Sequence, residues 1–298
     1  MIVDCHTHLW NNPEQLGSGA KLWIERQSSD GKLTASPADH SVAAACVDRT
    51  LVLGFKSAYL NADVPNDLIE QYVRQNDGMI GVAGIDPTEP HYLKEAQRLL
   101  DQPEFRALAI SPPLQNFHPT DSRVIPLYEL CSRRKAPLFL LAGTHMPTLG
   151  RMEFARPMLL DEVALEYPEL TMVVSSMGHP WVDEGIALIG KHPHVYADVA
   201  GLIRRPLAAH HWLVLAWQFD VADKILFGSD FPYFTAARAI ESLYRLHEIA
   251  QGTNLPTVPR EVLRSIIERD ALDVLGIARP GDEQASAEQE AETEDELE

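Results

Sequence analysis

His6 and His8 are separated by one residue at the end of the run Ile2-Val3-Asp4-Cys5, and Ser229-Asp230 follows a late apolar run, Lys224-Ile225-Leu226-Phe227-Gly228. Two imidazoles and a carboxylate are borderline ligands for zinc, manganese or iron. Three protein ligands with positions left open mark a catalytic rather than a structural metal site. Side chains alternate faces along a strand, so Asp4, His6 and His8 are expected to point one way, with Cys5 and Thr7 toward an outer packing layer. Asp4, one layer deeper, is expected to orient a ligand or pair with a buried donor. Asp230 would either ligate the ion or take a proton from its water; the competing role is capping of the following turn. Among twelve histidines there is a second His-x-His, His192-Pro193-His194, but it precedes a strand and so falls at the opposite end from the first.

These residues need a scaffold that brings the first and last strands together. Short apolar runs begin near Ile2, Arg49, Met79, Arg106, Pro137, Leu170, His194 and Lys224, and most are too continuously apolar to leave one face in water. Amphipathic stretches alternate with them: Asn66 to Gln75, His91 to Asp101, Pro126 to Arg134, Pro157 to Tyr167, Val182 to Lys191, Pro206 to Phe219 and Ala236 to Ala250. The alternation predicts parallel strands joined by crossover helices, a TIM (β/α)8 barrel over residues 1–277, with an extra C-terminal helix from Pro259 to Leu275. Active sites of such barrels lie at the carboxyl ends of the strands, where His8 and Asp230 fall. The connection from Leu9 to about Pro37 is far longer than a typical loop and contains Trp10 and Trp23, which reads as a lid or substrate wall.

Composition narrows the partners. The chain has 298 residues and a formal charge of −18, of which the stretch from Arg279 to Glu298 contributes −8 through nine acidic residues and one arginine. That sign disfavours nucleic acid and anionic membrane. Residues 278–298 are too polar to bury a core and are expected to form a disordered acidic tail. Cys5, Cys46 and Cys131 are odd in number and widely spaced, which suggests reduced thiols in packing roles. No basic, apolar leader precedes Ile2 and no apolar run reaches the roughly 20 residues needed to cross a bilayer, so a cytoplasmic protein is expected.

Asp4 to His8, Gly178-His179-Pro180-Trp181, Val195-Tyr196-Ala197-Asp198 and Leu226 to Pro232 resemble the amidohydrolase-related superfamily, in its amidohydrolase 2 branch. The likeness spans roughly residues 1–277. It implies a (β/α)8 barrel, one divalent metal, and chemistry that hydrolyses C–N or C–O bonds, hydrates, or decarboxylates aromatic and unsaturated acids. It also implies that His6 and His8 are metal ligands and that Asp230 is a ligand or general base. Two family histidines are missing. The strand-five ligand of Pro-Val-x-x-His-x-Gly is Leu141 in Pro137 to Gly143, and the strand-six histidine before Met-Gly is Ser176. Strand-four polar positions read Ala109 and Ser111.

The expected protein is a mononuclear metal-dependent hydrolase of a small organic molecule, holding one divalent ion, zinc before manganese or iron, weakly. His179 is a candidate ligand or acid/base, and His145 on the preceding rim loop could approach the ion if its loop turned back. Trp10, Phe117, Trp181, Phe231 and Tyr233 could stack an aromatic substrate, while Lys56, Arg151, Arg204 and Arg205 could hold an anion. A decarboxylase is the alternative, favoured if Arg204 or Arg205 points into the barrel mouth. A barrel that has lost chemistry and serves as a binding or assembly subunit is the third reading. A homodimer is expected only by analogy with the family.

Overall fold

The computed structural model describes residues 1–19, 34–142 and 147–279. Eight parallel strands follow one another in chain order around a TIM barrel. They are β1 (Val3–Thr7), β2 (Arg49–Leu53), β3 (Met79–Gly84), β4 (Phe105–Ile110), β5 (Leu138–Leu140), β6 (Met172–Val174), β7 (Val195–Asp198) and β8 (Ile225–Leu226). Backbone bonds join the last strand to the first: Cys5 donates to the Phe227 carbonyl at 2.9 Å, Asp230 to that of His6 at 3.0 Å and His8 to that of Phe231 at 3.0 Å. Those bonds put the His6–His8 segment directly beside Asp230.

The alternation of inward and outward side chains sorts the apolar residues into two bodies. Val3, Leu51, Val82, Ala107, Phe139 and Leu226 pack inside the barrel. Val52, Leu108, Leu138, Val174, Val195 and Phe227, on the opposite face of the strands, pack between strands and helices. Both faces of each strand are therefore buried, which is why the runs are continuously apolar. The enclosing helices are α1 (Pro37–Ala44), α2 (Asn66–Gln75), α3 (Tyr92–Leu100), α4 (Ile125–Arg134), α5 (Asp161–Glu166), α6 (Val182–Lys191), α7 (Pro206–Gln218) and α8 (Ala236–Arg245). The first of these has no counterpart among the amphipathic stretches expected from sequence, which begin at Asn66. Its start is nonetheless written in Ser36-Pro37: the Ser36 hydroxyl accepts the Asp39 amide, and proline at the first helical position gives up no needed donor.

The expected single C-terminal helix is two, α9 (Arg260–Ile267) and α10 (Ala271–Leu275). Asp270 ends the continuity by accepting the Asp273 amide as a new cap. Ala271, Leu272 and Leu275 join the inner core, so α10 closes the barrel floor. The second His-x-His lies away from the rim. His192 bonds Asp161 at 2.7 Å and the His194 carbonyl accepts Met172 at the start of β6. No helix among the described residues is long and apolar enough to cross a membrane. Trp23, His145 and most of the acidic tail lie outside the described residues.

Candidate metal centre

The end of β1 departs from simple alternation. Val3 and Asp4 pair with Arg49 and Thr50, but Thr7 pairs with Val52, so one extra residue is accommodated between Asp4 and Thr7. The consequence corrects the expected facing of Cys5, which packs with the inner core rather than the outer layer. His6 and His8 still turn together into the barrel, and Thr7 faces the helices as expected, bonded to His40 of α1.

One ligand atom from each of His6, His8 and Asp230 lies within 4.8 Å of the others. The ring orientations are fixed from behind. His6 Nδ1 donates to Asp198 Oδ2 at 2.8 Å, and His8 Nδ1 donates to the Leu53 carbonyl at 3.1 Å. Each ring is thereby left with its lone pair on Nε2, and the two Nε2 atoms face each other at 3.1 Å. Two lone pairs so close need a proton or a cation between them. Asp230 supplies the negative charge: it is 6% exposed, and its Oδ2 is buried with no hydrogen-bond partner among the described residues. An orphaned buried carboxylate oxygen beside two convergent imidazoles is a donor set suited to a divalent ion.

Electrostatics agree with that reading. Burial opposes the charged form of His6, but the Asp198 charge and hydrogen bond, with Asp230 and Asp4 behind them, outweigh it and raise its pKa to about 8. His8 is driven down to about 3 by burial and by the His6 charge. Burial lifts the Asp230 carboxyl to about 7 against the pull of His6 and Arg204. The metal-free trio thus takes up protons where the cation would sit, first on His6 and then on Asp230.

Asp198 is the residue to which the sequence reading gave no role. It ends β7 on the inward face, fully buried, and its second oxygen accepts the amides of Ser176 at 2.8 Å and Ala200 at 3.0 Å. Its signal was visible as an acidic residue closing an apolar strand at the rim. Asp4 pairs with buried donors, accepting from the Ser229 amide at 2.8 Å and the His6 amide at 3.3 Å, and so staples the strand that bears His6 to the turn that bears Asp230. Asp230 itself has φ 63°, a left-handed conformation that aspartate tolerates better than most residues.

The remaining candidates separate. Arg204 is half-buried, its guanidinium 4.8 Å from the Tyr233 ring centre and close enough to lower the Asp230 carboxyl. Arg205 is exposed. Lys56 is taken up by Glu89 at 2.6 Å and Glu95 at 3.6 Å, so it is not an open anion site. His179 stacks edge-on against Trp212 at 5.3 Å with its Nδ1 buried and unbonded, and burial together with Arg205 lowers its pKa. Trp181 is partly exposed beside it in sequence. Trp10 and Phe231 are buried in one small cluster with Ala35, Ala43 and Val64 behind the rim, where packing accounts for them. Leu141 packs in the inner core, and its carbonyl takes the Ser111 hydroxyl. Ser176 lies in a left-handed turn just beyond β6, its amide spent on Asp198.

Comparison with known proteins bears on the fold and the family. No curated protein sequence matches the chain. A TIM-barrel protein of uncharacterised function from Bordetella bronchiseptica superposes with a TM-score of 0.68 at 20% identity, covering 93% of this chain and 98% of that one. A probable 2-pyrone-4,6-dicarboxylic acid hydrolase from Acinetobacter baumannii, with citric acid bound, gives 0.62 at 15% identity over 92% and 99%. A dihydroxybenzoic acid decarboxylase from Polaromonas sp. JS666, with bound manganese and the inhibitor 2-nitroresorcinol, gives 0.64 at 13% identity over 94% and 98%. At such identities the likeness establishes the shared barrel. The model of the amidohydrolase family Amidohydro_2 matches residues 3–277, nearly the whole barrel, and the chain belongs to that family.

Proposed function

We propose that the protein is a mononuclear metal-dependent hydrolase acting on a small organic substrate that carries a carboxylate. The observation behind this reading is the convergence of His6, His8 and Asp230, with both imidazoles oriented from behind and Asp230 Oδ2 buried without a partner. A divalent ion held there, zinc in the first instance, would polarise a carbonyl and acidify water. The chain's own groups do the rest. Asp198 holds His6 in the tautomer that presents Nε2. Asp230 either ligates that ion through the buried Oδ2 or takes the proton from the water the ion activates. His179, kept neutral, offers a second proton acceptor on the rim. Arg204 supplies the charge for a substrate carboxylate, in a setting where burial makes that charge count.

Arg204, one of the two arginines on which the alternative turns, also supports a second reading, decarboxylation of an aromatic or unsaturated acid, because its charge acts on the candidate ligand Asp230. Both readings are tested together. Protein from metal-replete growth is analysed for metal, then offered salicylate-like acids and cyclic esters bearing a carboxylate, with CO2 and ring-opened acid measured separately. About one metal per chain with ring opening supports hydrolysis; CO2 release moves the assignment to a lyase. Less than about 0.2 metal per chain would instead favour the binding-subunit reading, since open three-ligand sites retain zinc.

A further inference from the structure

The residue between the two histidine ligands is anchored on the far side of the strand by a directed chain of hydrogen bonds. Thr7 is 1% exposed, and its hydroxyl donates to the Leu51 carbonyl on β2 at 2.7 Å. That spends the only hydroxyl proton, so the 2.8 Å contact with His40 Nε2 must run from the ring to Thr7. His40 Nδ1 is then the acceptor, and takes the Tyr72 hydroxyl of α2 at 2.8 Å. His40 is fully buried, and its ring also packs edge-on against Phe231 at 5.1 Å, next to Asp230 in the chain. One side chain thus touches the β1 segment between His6 and His8 and the β8 turn just after Asp230.

We infer that His40 is a positioning residue of the metal centre, fixing the irregular end of β1 so that His6 and His8 meet Asp230. The inference rests on the metal reading above. Its physical basis is the extra residue between Asp4 and Thr7. A regular strand would be held in register by its ladder, but here the ladder is interrupted where the ligands sit, and Thr7 is the point at which register resumes. Thr7 can anchor that point only while its acceptor is satisfied by a donor from the helix layer, and His40 is that donor. Burial leaves the ring neutral, with its pKa near 4, so the donor persists through the neutral range. A ligand set displaced by a fraction of an ångström keeps its residues and loses affinity.

The test compares His40→Phe, which keeps a ring of similar bulk and removes both polar atoms, with His40→Gln, whose amide can still donate to Thr7. Zinc and manganese dissociation constants are read by chelator competition on the full chain, alongside the melting temperature of the metal-free protein. His40→Phe should weaken metal binding about 10- to 100-fold, the size of effect expected when a ligand loses its orienting partner, and His40→Gln should recover most of it. Thr7→Val and Thr7→Ser form an independent pair should His40→Phe fail to fold, with Val losing affinity and Ser keeping it. Wild-type affinity in both His40→Phe and Thr7→Val overturns the inference. So does equal loss in His40→Phe and His40→Gln tracking the fall in melting temperature, which would make His40 a core residue and nothing more. Wild-type protein that binds neither ion defeats the metal reading itself, a result separate from either.

Discussion

The two halves of the barrel rim are built on opposite rules. From β7 through β8 to β1 the inward groups are polar and oriented from behind, with Asp230 Oδ2 left over among the described residues: Asp198 holds His6, Leu53 holds His8, and Asp4 ties the Asp230 turn to β1. From β4 through β6 the matching positions are Ala109, Leu141 and Ser176, and among the described residues the polarity nearby is already used, the Ser111 hydroxyl on the Leu141 carbonyl and the Ser176 amide on the Asp198 carboxylate. The contrast teaches that the centre is one-sided. A cation on the first half would face hydrocarbon across the barrel, and a substrate bound there would meet an ionic wall and an apolar one.

The largest effect should come from removing charge on the ionic side. Asp230→Asn keeps the shape and deletes the anion, and because loss of an outer partner alone costs 10- to 100-fold, loss of this ligand should weaken zinc binding by at least about 100-fold. Chelator competition measures it. Retained affinity would mean that Asp230 Oδ2 is orphaned for some other reason and that the ionic half is not a metal site.

Changing the apolar side should work in reverse. Leu141→His puts an imidazole where β5 meets the rim and should strengthen metal binding at least tenfold, as a restored ligand would. The metal-free variant should lose about 2 kcal/mol of stability, because a buried leucine is exchanged for a polar ring with no partner. Metal should restore the loss. A variant that is destabilised without binding metal more tightly would place the β5 side chain away from the ion and make the two halves independent.

Protons compete with the cation on the ionic half, and the sign follows from the raised pKa of His6. Its ring is protonated below about 8 and must be neutral to ligate, so apparent affinity should fall about tenfold per pH unit as pH drops below 8. The slope should steepen below about 7, where Asp230 also takes a proton. Calorimetry in buffers of different ionisation enthalpy should find between one and two protons released per ion at pH 7. Zero release would imply that His6 is neutral in the free protein and that Asp198 exerts less pull than its 2.8 Å bond implies.

Much of this contrast was legible in the sequence because it rests on period and residue type. The eight strands begin within two residues of where apolar runs begin, and α2 and α6 match their amphipathic stretches end to end. His6, His8 and Asp230 were readable since strand ends on one rim must converge. What stayed hidden was non-periodic. Nothing in Asp4 to Thr7 announces an extra residue in the ladder, so Cys5 was assigned to the wrong face. His40 lies on a short helix that follows the long connection and shows no clear amphipathic period, and its partners Thr7 and Tyr72 are 33 and 32 residues away, beyond any local pattern. Trp10 and Phe231 looked like rim aromatics because residue type alone does not separate a wall from the packing behind it.

The smallest effect should separate two adjacent arginines that sequence treats alike. Arg204 is half-buried against Tyr233 and acts on Asp230, whereas the Arg205 side chain is exposed. A charge in water is screened within about 10 Å at ordinary ionic strength, while a partly buried one is not, so only the first should steer a carboxylate at the ionic wall. Arg204→Gln should weaken salicylate binding about tenfold and Arg205→Gln less than about twofold, the range for exposed charges. Titrations at low and high salt would show the origin of the difference: the small Arg205 effect should vanish in salt and the Arg204 effect should persist. Equal losses in the two variants would mean that the rim attracts anions by general field alone, and the ionic half would then owe its selectivity to the metal.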